Sequence, residues 1–264
     1  MISVNANSSF LEWVVFIFQH YWPLFLRGAE TTLIIALTGT IIGFGIGLLI
    51  GIIRTIPIDH NTHWFKVYFL KAINFVLLCY IEIFRGTPMI VQAMVIFYGA
   101  AMLYNIHLST FFAGIFIVSI NTGAYMAEIV RGGILSIDKG QFEAAHSIGM
   151  THSQTMLSII LPQAIRNILP ATSNEFVINI KDTSVLSVIG VSELFFLSKT
   201  VAGNNYRYFE VFLITCITYF IMTFTITRIL RYFERRLEGP AVYTIHGSQT
   251  VPEAQFKIVD REKR

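Results

Sequence analysis

Long apolar runs constrain this chain more than any other feature. Segments near 29–53, 110–130, 167–192 and 208–230 each supply the roughly 20 residues that a helix needs to cross a hydrocarbon core of about 30 Å. A fifth run, 66–105, exceeds that length. The composition agrees: 54% of the 264 residues are hydrophobic and 13% charged, against about 25% charged in soluble domains. Lipid offers no partner to a bare N–H or C=O, so such a chain folds as helices that satisfy their own backbone. The expectation is an all-α polytopic membrane protein.

Charge placement sets the number of crossings. With five crossings and the N-terminus outside, 14 Lys and Arg fall on inside segments (54–71, 131–166 and 228–264) and three outside, namely Arg27, Lys199 and Arg207. That asymmetry satisfies the positive-inside rule. A sixth crossing would put the segment around Glu143 and the Arg228–Arg236 cluster on opposite sides. Five is therefore preferred, with a cytoplasmic C-terminus and 66–105 as one long crossing interrupted at Arg85-Gly86-Thr87-Pro88. Pro88 removes a helical hydrogen bond there, and Gly86 loosens the turn before it.

Three regions follow. Residues 1–26 carry Glu12 and no basic stretch, so they read as an extracytoplasmic or interfacial segment bearing Trp13 and Trp22 rather than a cleaved signal. Residues 27–236 form the transmembrane unit, and 237–264 a flexible cytoplasmic tail. Gly39, Gly43, Gly47 and Gly51, spaced by four, make a ridge that another backbone can approach closely. Cys79 and Cys216 lie in apolar runs and read as buried small hydrophobes, with no disulfide or metal spacing. His60-x-x-His63 reads as a polar loop; no metal is expected.

Between 138 and 162 the pattern leaves the membrane. EAAHSIGMTHSQTMLSIILP holds two short helical stretches, about 141–148 and 153–161. Gly149 punctuates them, Thr151 or Ser153 can cap the second, and Pro162 marks a break near its end. Small Ala144 and Ala145 would admit a partner's surface, with Glu143 beside them for a charged contact.

The spacing EAA-x3-G-x9-I-x-LP matches the signature of ABC importer permeases. The stretches IEIFRGTPMIVQ (81–92), NTGAYMAEIVRGGILSIDKGQFEAAHSIGM (121–150), LPQAIRNILPATSNEF (161–176) and IKDTSVLSVIGVSEL (180–194) resemble the polar amino-acid branch of that family. That branch serves histidine, glutamine, glutamate, arginine, cystine and opine uptake. The resemblance runs from about Arg27 to Arg236. It implies a type I importer permease fold in a bacterial inner or plasma membrane. It implies that 138–162 forms coupling helices centred on Glu143, Ala144, Ala145 and Gly149, inserted into a groove of a cytoplasmic ATP-binding subunit dimer. The remaining implied partners are an extracytoplasmic amino-acid-binding protein, a second permease copy or paralogue, and the lipid bilayer. No nucleic-acid partner is expected.

Ionisable groups in lipid are costly and normally face a bundle interior or a water-filled path. Glu82, Arg85, Glu128, Glu175, Lys181 and Asp182 lie within or at the ends of crossings. Arg85 sits at the Gly86–Pro88 break and Asp182 in a Lys-Asp-Thr-Ser stretch; broken helices near the midplane are where transport sites form. An amino acid offers a carboxylate, which Arg85 can grip, and an ammonium, which Asp182 or Glu128 can receive. Thr87, Gln92, Asn121, Asn174 and Ser184 are polar neighbours. The expected path is Arg85, Thr87, Gln92, Asn121, Glu128, Asp182 and Ser184. The competing reading pairs these charges with one another to hold the fold, and for Glu128 and Glu175 it is preferred.

No G-x-x-x-x-G-K-[ST] phosphate loop occurs. The chain is expected to bind no cofactor and to be non-catalytic, with ATP and Mg2+ on the partner ATPase. Two rivals are a stand-alone secondary transporter or channel and an intramembrane enzyme using Glu128 or His107. The first leaves the EAA segment without a role; the second has no nucleophile–base constellation.

Overall fold

The computed structural model describes residues 8–57 and 64–237, and every regular element among them is helical. In chain order these are α1 (Phe10–Ile53), α2 (Trp64–Gly86), α3 (Met89–Tyr104), α4 (Thr110–Leu135), α5 (Lys139–Ser147) and α6 (His152–Thr155). A π-helical turn, Met156–Ile160, leads into α7 (Leu161–Asp182). A 3-10 segment, Thr183–Ile189, precedes α8 (Leu194–Asn205) and α9 (Tyr208–Leu237). Helices α1, α2, α4 and α9 are each long and apolar enough to cross a membrane. The stretch His152–Ile189 with α8, bent by 55°, passes as one broken span, which gives up to five. His60, His63 and the tail from Glu238 onward lie outside the described residues.

The glycine ridge forms the central seam. A Cβ on Gly39 would meet Val118, on Gly43 Thr122, on Gly47 Met126 and on Gly51 Val130. Each α4 partner lies 79 positions further along the chain, so α1 and α4 run side by side in the same direction. Their backbones approach so closely because α1 presents no side chain along this stripe. Beyond the last tier Arg54, the C-cap residue of α1, pairs with Glu128 on α4.

Two helices pointing the same way require one net return between them, and α2 with α3 supplies it. Leu77 and Ile81 pack with Ile50 and Ala127 near the ends of α1 and α4. Asn121, halfway along α4, donates to the Phe84 carbonyl. Past the break, Ala93, Ile96 and Phe97 reach Ala113 and Ile117 near the start of α4. Together α2 and α3 thus run back along α4, and the Gly86–Pro88 break between them lies beside the middle of that helix.

Two expectations need correction. The boundary at residue 26 does not exist, because α1 runs unbroken from a Ser9–Glu12 capping box through Pro23. Ile17 and Phe25 bury against Val201, Val211 and Ile214 of α8 and α9, so residues 10–26 belong to the bundle. At about 66 Å, α1 is twice as long as the bilayer core is thick. Nor does Pro162 end a helix. It occupies the first turn of α7, where the missing N–H costs little, and the π-helical turn before it carries the helix through.

Gly190, at φ +82°, ends the 3-10 segment in the left-handed region. Glu193, fully buried, then caps α8 by accepting from the N–H groups of Phe195 and Phe196 at 2.8 and 2.7 Å. The Tyr219 hydroxyl of α9 donates to the same carboxylate at 3.0 Å, and the Leu194 N–H donates to Thr32 of α1 at 3.3 Å. These contacts fix where the bent span turns.

Candidate functional site: a mid-depth cavity and an exposed helical loop

The break between α2 and α3 frees backbone carbonyls in a region where water is scarce. Gln92, buried on α3, donates to the carbonyls of Phe84 and Thr87 at 2.9 Å each. Its own oxygen accepts from the Asn121 side chain at 2.9 Å. The Thr87 hydroxyl donates back to the Ile83 carbonyl at 2.7 Å. Thr87, Gln92 and Asn121 therefore hold the break open in a fixed shape.

A cavity of about 330 Å³ adjoins this break, a volume suited to a small solute. Arg85, Thr87 and Pro88 line one side, Asn121 and Tyr125 of α4 a second, and Glu175, Asn179 and Asp182 of α7 a third. The Arg85 guanidinium lies 5.5 Å from the Tyr125 ring centre, a cation–π contact that holds the side chain toward α4. Asn179 faces the seam as well, donating to the Thr40 and Thr122 hydroxyls at 2.8 and 3.0 Å. One residue thus joins the cavity wall to the α1–α4 pairing.

Of the residues expected along a path, Arg85, Thr87, Asn121 and Asp182 meet at the cavity, while Gln92 stands behind it as a support. Glu128 does not belong there. It pairs with Arg54, with Arg131 at 3.9 Å, at the far end of the seam, which agrees with structural pairing. Ser184 is absent from the lining too, because the chain switches to 3-10 geometry at Thr183 and each residue turns by about 120°. Glu175 lines the cavity as well. Tyr125 and Asn179 were not singled out, although the spacing carried a signal. Asn121 and Tyr125 sit four apart, and Glu175, Asn179 and Asp182 recur at one helical face.

The exposed loop is built as follows. The Asp138 carboxylate caps α5 by accepting from the Gly140 N–H at 2.6 Å. At its other end Gly149 adopts φ +80°. The Gly149 N–H donates to the His146 carbonyl at 3.0 Å and the Met150 N–H to that of Ala145 at 3.1 Å. This is a Schellman closure, which explains glycine at that position. Thr151 then caps α6 with Gln154 in a reciprocal pair, as its spacing predicts.

Glu143, Ala144 and Gly149 are exposed, and so are two large apolar side chains, Ile148 at 78% and Leu157 at 65%. Ala145 differs: it is 1% exposed and faces the chain's own core, one turn from Phe142, which packs on Met156 and Ile160. Its expected place on a docking surface is corrected accordingly. A short helix lying on a core must turn every third or fourth residue inward. Burial holds the His152 imidazole below its usual pKa, and neighbouring His146 adds to the effect.

Residues 64–239 match the family described as binding-protein-dependent transport system inner membrane component. The glutamine transport system permease protein GlnP of Escherichia coli K12 is 39% identical over 82% of this chain and 94% of its own length. The L-cystine transport system permease protein TcyB of Bacillus subtilis is 34% identical over 83% and 89%. Among solved structures, an amino acid ABC transporter crystallised with histidines aligns with a TM-score of 0.74 and 40% identity. That alignment covers 87% of this chain and 99% of the other.

Proposed function

Because the chain belongs to the family of binding-protein-dependent transport system inner membrane components, we propose that its mid-depth cavity holds the cargo of an amino-acid ABC importer and that its exposed loop receives the drive. The family makes this chain a membrane-spanning transport subunit, and its relatives carry glutamine and cystine.

The observation that carries the proposal is the meeting of Arg85, Asp182 and Asn121 at one cavity beside a broken helix. Arg85 receives the cargo carboxylate and Asp182 the ammonium, in surroundings where water competes weakly. The loop bearing Glu143, Ala144, Ile148 and Leu157 docks on a cytoplasmic ATP-binding subunit dimer. An apolar patch outside the membrane span is best explained by such a partner. ATP and Mg2+ belong to that partner, and this chain is non-catalytic.

The N-terminus lies outside, as the 14-to-3 charge asymmetry favours. A second permease, identical or paralogous, covers the exposed charged face bearing Glu82 and Arg85, which cannot rest against lipid. An amino-acid-binding protein delivers the cargo from outside. Uptake in proteoliposomes containing the partner ATPase and capture protein tests this: Asp182→Ala should abolish most transport. Undiminished uptake by that variant, or uptake without any ATPase, would refute it.

A further inference from the structure

Toward its C-terminal end α9 carries arginine on the side that faces lipid. At 3.6 residues per turn, Ile217, Phe220, Phe224, Arg228, Arg231 and Arg235 fall in one strip about 80° wide. All six are exposed. The first three are apolar surface on a helix long and apolar enough to cross a membrane. The last three continue the same strip as a column of cations.

Depth decides what that column meets. From Tyr208 to Arg228 the helix rises about 30 Å, the thickness of a hydrocarbon core, so Arg228 emerges where the acyl chains end. Arg231 lies about 4.5 Å further along the axis and Arg235 about 10.5 Å, whereas the headgroup layer is roughly 5–7 Å deep on each side. Arg228 and Arg231 therefore both stand within that layer, and the long stem of Arg235 can fold back to its edge. The Arg228 guanidinium already leans toward the bilayer, 4.9 Å from the Phe224 ring centre.

The chain supplies this column with no counter-charge. Among the described residues none of the three arginines forms an ion pair, and Glu234, the one carboxylate between Phe224 and Leu237, is not their partner. The anion available at that depth is the phosphodiester of a phospholipid, whose oxygens match the guanidinium fork. A zwitterionic headgroup would bring its own ammonium against the column. A headgroup with net negative charge would not, and basic clusters beside a membrane span favour such lipids.

We propose that Arg228, Arg231 and Arg235 form a binding site for an anionic phospholipid, with Arg228 and Arg231 gripping the phosphate and Arg235 adding charge at the outer edge. The site requires only that α9 crosses the bilayer. It is independent of the cargo reading, since no α9 residue lines the cavity.

The test is native mass spectrometry of the delipidated permease–ATPase complex in detergent, titrated with phosphatidylglycerol or with phosphatidylcholine of equal chain length. Phosphatidylglycerol should bind at least about tenfold more tightly, about 1.4 kcal/mol. R228Q/R231Q should bring the two lipids to nearly equal affinity, and R228K/R231K, which keeps the charge without the fork, should retain part of the preference. Glycerol 3-phosphate in large excess should leave the lipid bound; displacement by it would mark a site for a free anion instead. Loss of the ATPase from R228Q/R231Q would assign the face to that subunit. Either result refutes the proposal, as does equal binding of the two lipids by the unmodified complex or a preference that survives R228Q/R231Q.

Discussion

Gly47→Ala isolates the energy of the α1–α4 seam. A Cβ at Gly47 would lie 2.3 Å from the Met126 Cβ, 2.7 Å from the Met126 carbonyl carbon and 2.8 Å from the Ala127 nitrogen. Two of these atoms are backbone, so no rotamer change relieves the clash. Ordinary contact begins at 3.4 Å, and the helices must therefore part by about 1.1 Å at that tier. A gap of that size forfeits a quarter to a half of each dispersion contact across it, and overpacking of this kind costs about 1–3 kcal/mol. The helix itself gains about 1 kcal/mol from replacing glycine by alanine. Gly45→Ala removes that ambiguity, because nothing lies within 4 Å of its Cβ and the helical gain is the same. The difference between the two variants is the seam alone. At about 2–4 °C per kcal/mol for a chain of this size, Gly47→Ala should melt on the order of 5 °C below Gly45→Ala in detergent. Equal melting temperatures would show that the seam yields freely, and the close-packing argument would fail.

Three further outcomes are expected. Gly149→Ala forces an L side chain into the left-handed region at a cost of about 1–2 kcal/mol, so the amides of Ser147–Met150 should exchange hydrogen roughly 5–30 times faster; unchanged protection would contradict the Schellman assignment. Glu193→Ala strips the partners from two N–H groups and the Tyr219 hydroxyl at a fully buried site, which should cost about 2–4 kcal/mol and lower the melting temperature by roughly 5–10 °C. The neutral form of His152 is favoured by the fold, so the stability it lends is complete above its unfolded pKa of about 6.5 and declines as pH falls below that value. Protection factors in α6, which divide out the intrinsic pH dependence of amide exchange, should therefore fall on acidification below about pH 6.5, and His152→Asn should flatten that dependence.

The parts visible in the sequence were those set by local rules. The four-residue glycine spacing announces a close helix contact, Pro88 announces a break, and Gly149 with Thr151 announces a helix end followed by a new start. Each depends on a few adjacent residues. The sequence does not say which charges meet. Glu128 and Glu175 look alike along the chain, yet one pairs with Arg54 at the end of the seam and the other lines the cavity. Only the 79-residue register of α1 on α4 and the packing of α7 decide between them. The π-helical turn escaped for a similar reason. Pro162 is a sound stop signal in isolation, and a shifted hydrogen-bond register just before it overrides that signal. The inward turn of Ala145 depends on the core beneath α5, which no reading of the motif alone supplies.

The 79 positions between seam partners also impose a delay during synthesis. At about 5–20 residues per second, Gly39 is added to the chain roughly 4–16 s before Val118, its seam partner. Through that interval the bare stripe of α1 faces lipid or another nascent chain. Stripes of this kind associate with their own copies, so a ribosome stalled between α1 and α4 would release a fragment prone to pair with itself. Rescue of such stalls, rather than the strength of the finished seam, would then limit how much correctly assembled permease a cell obtains.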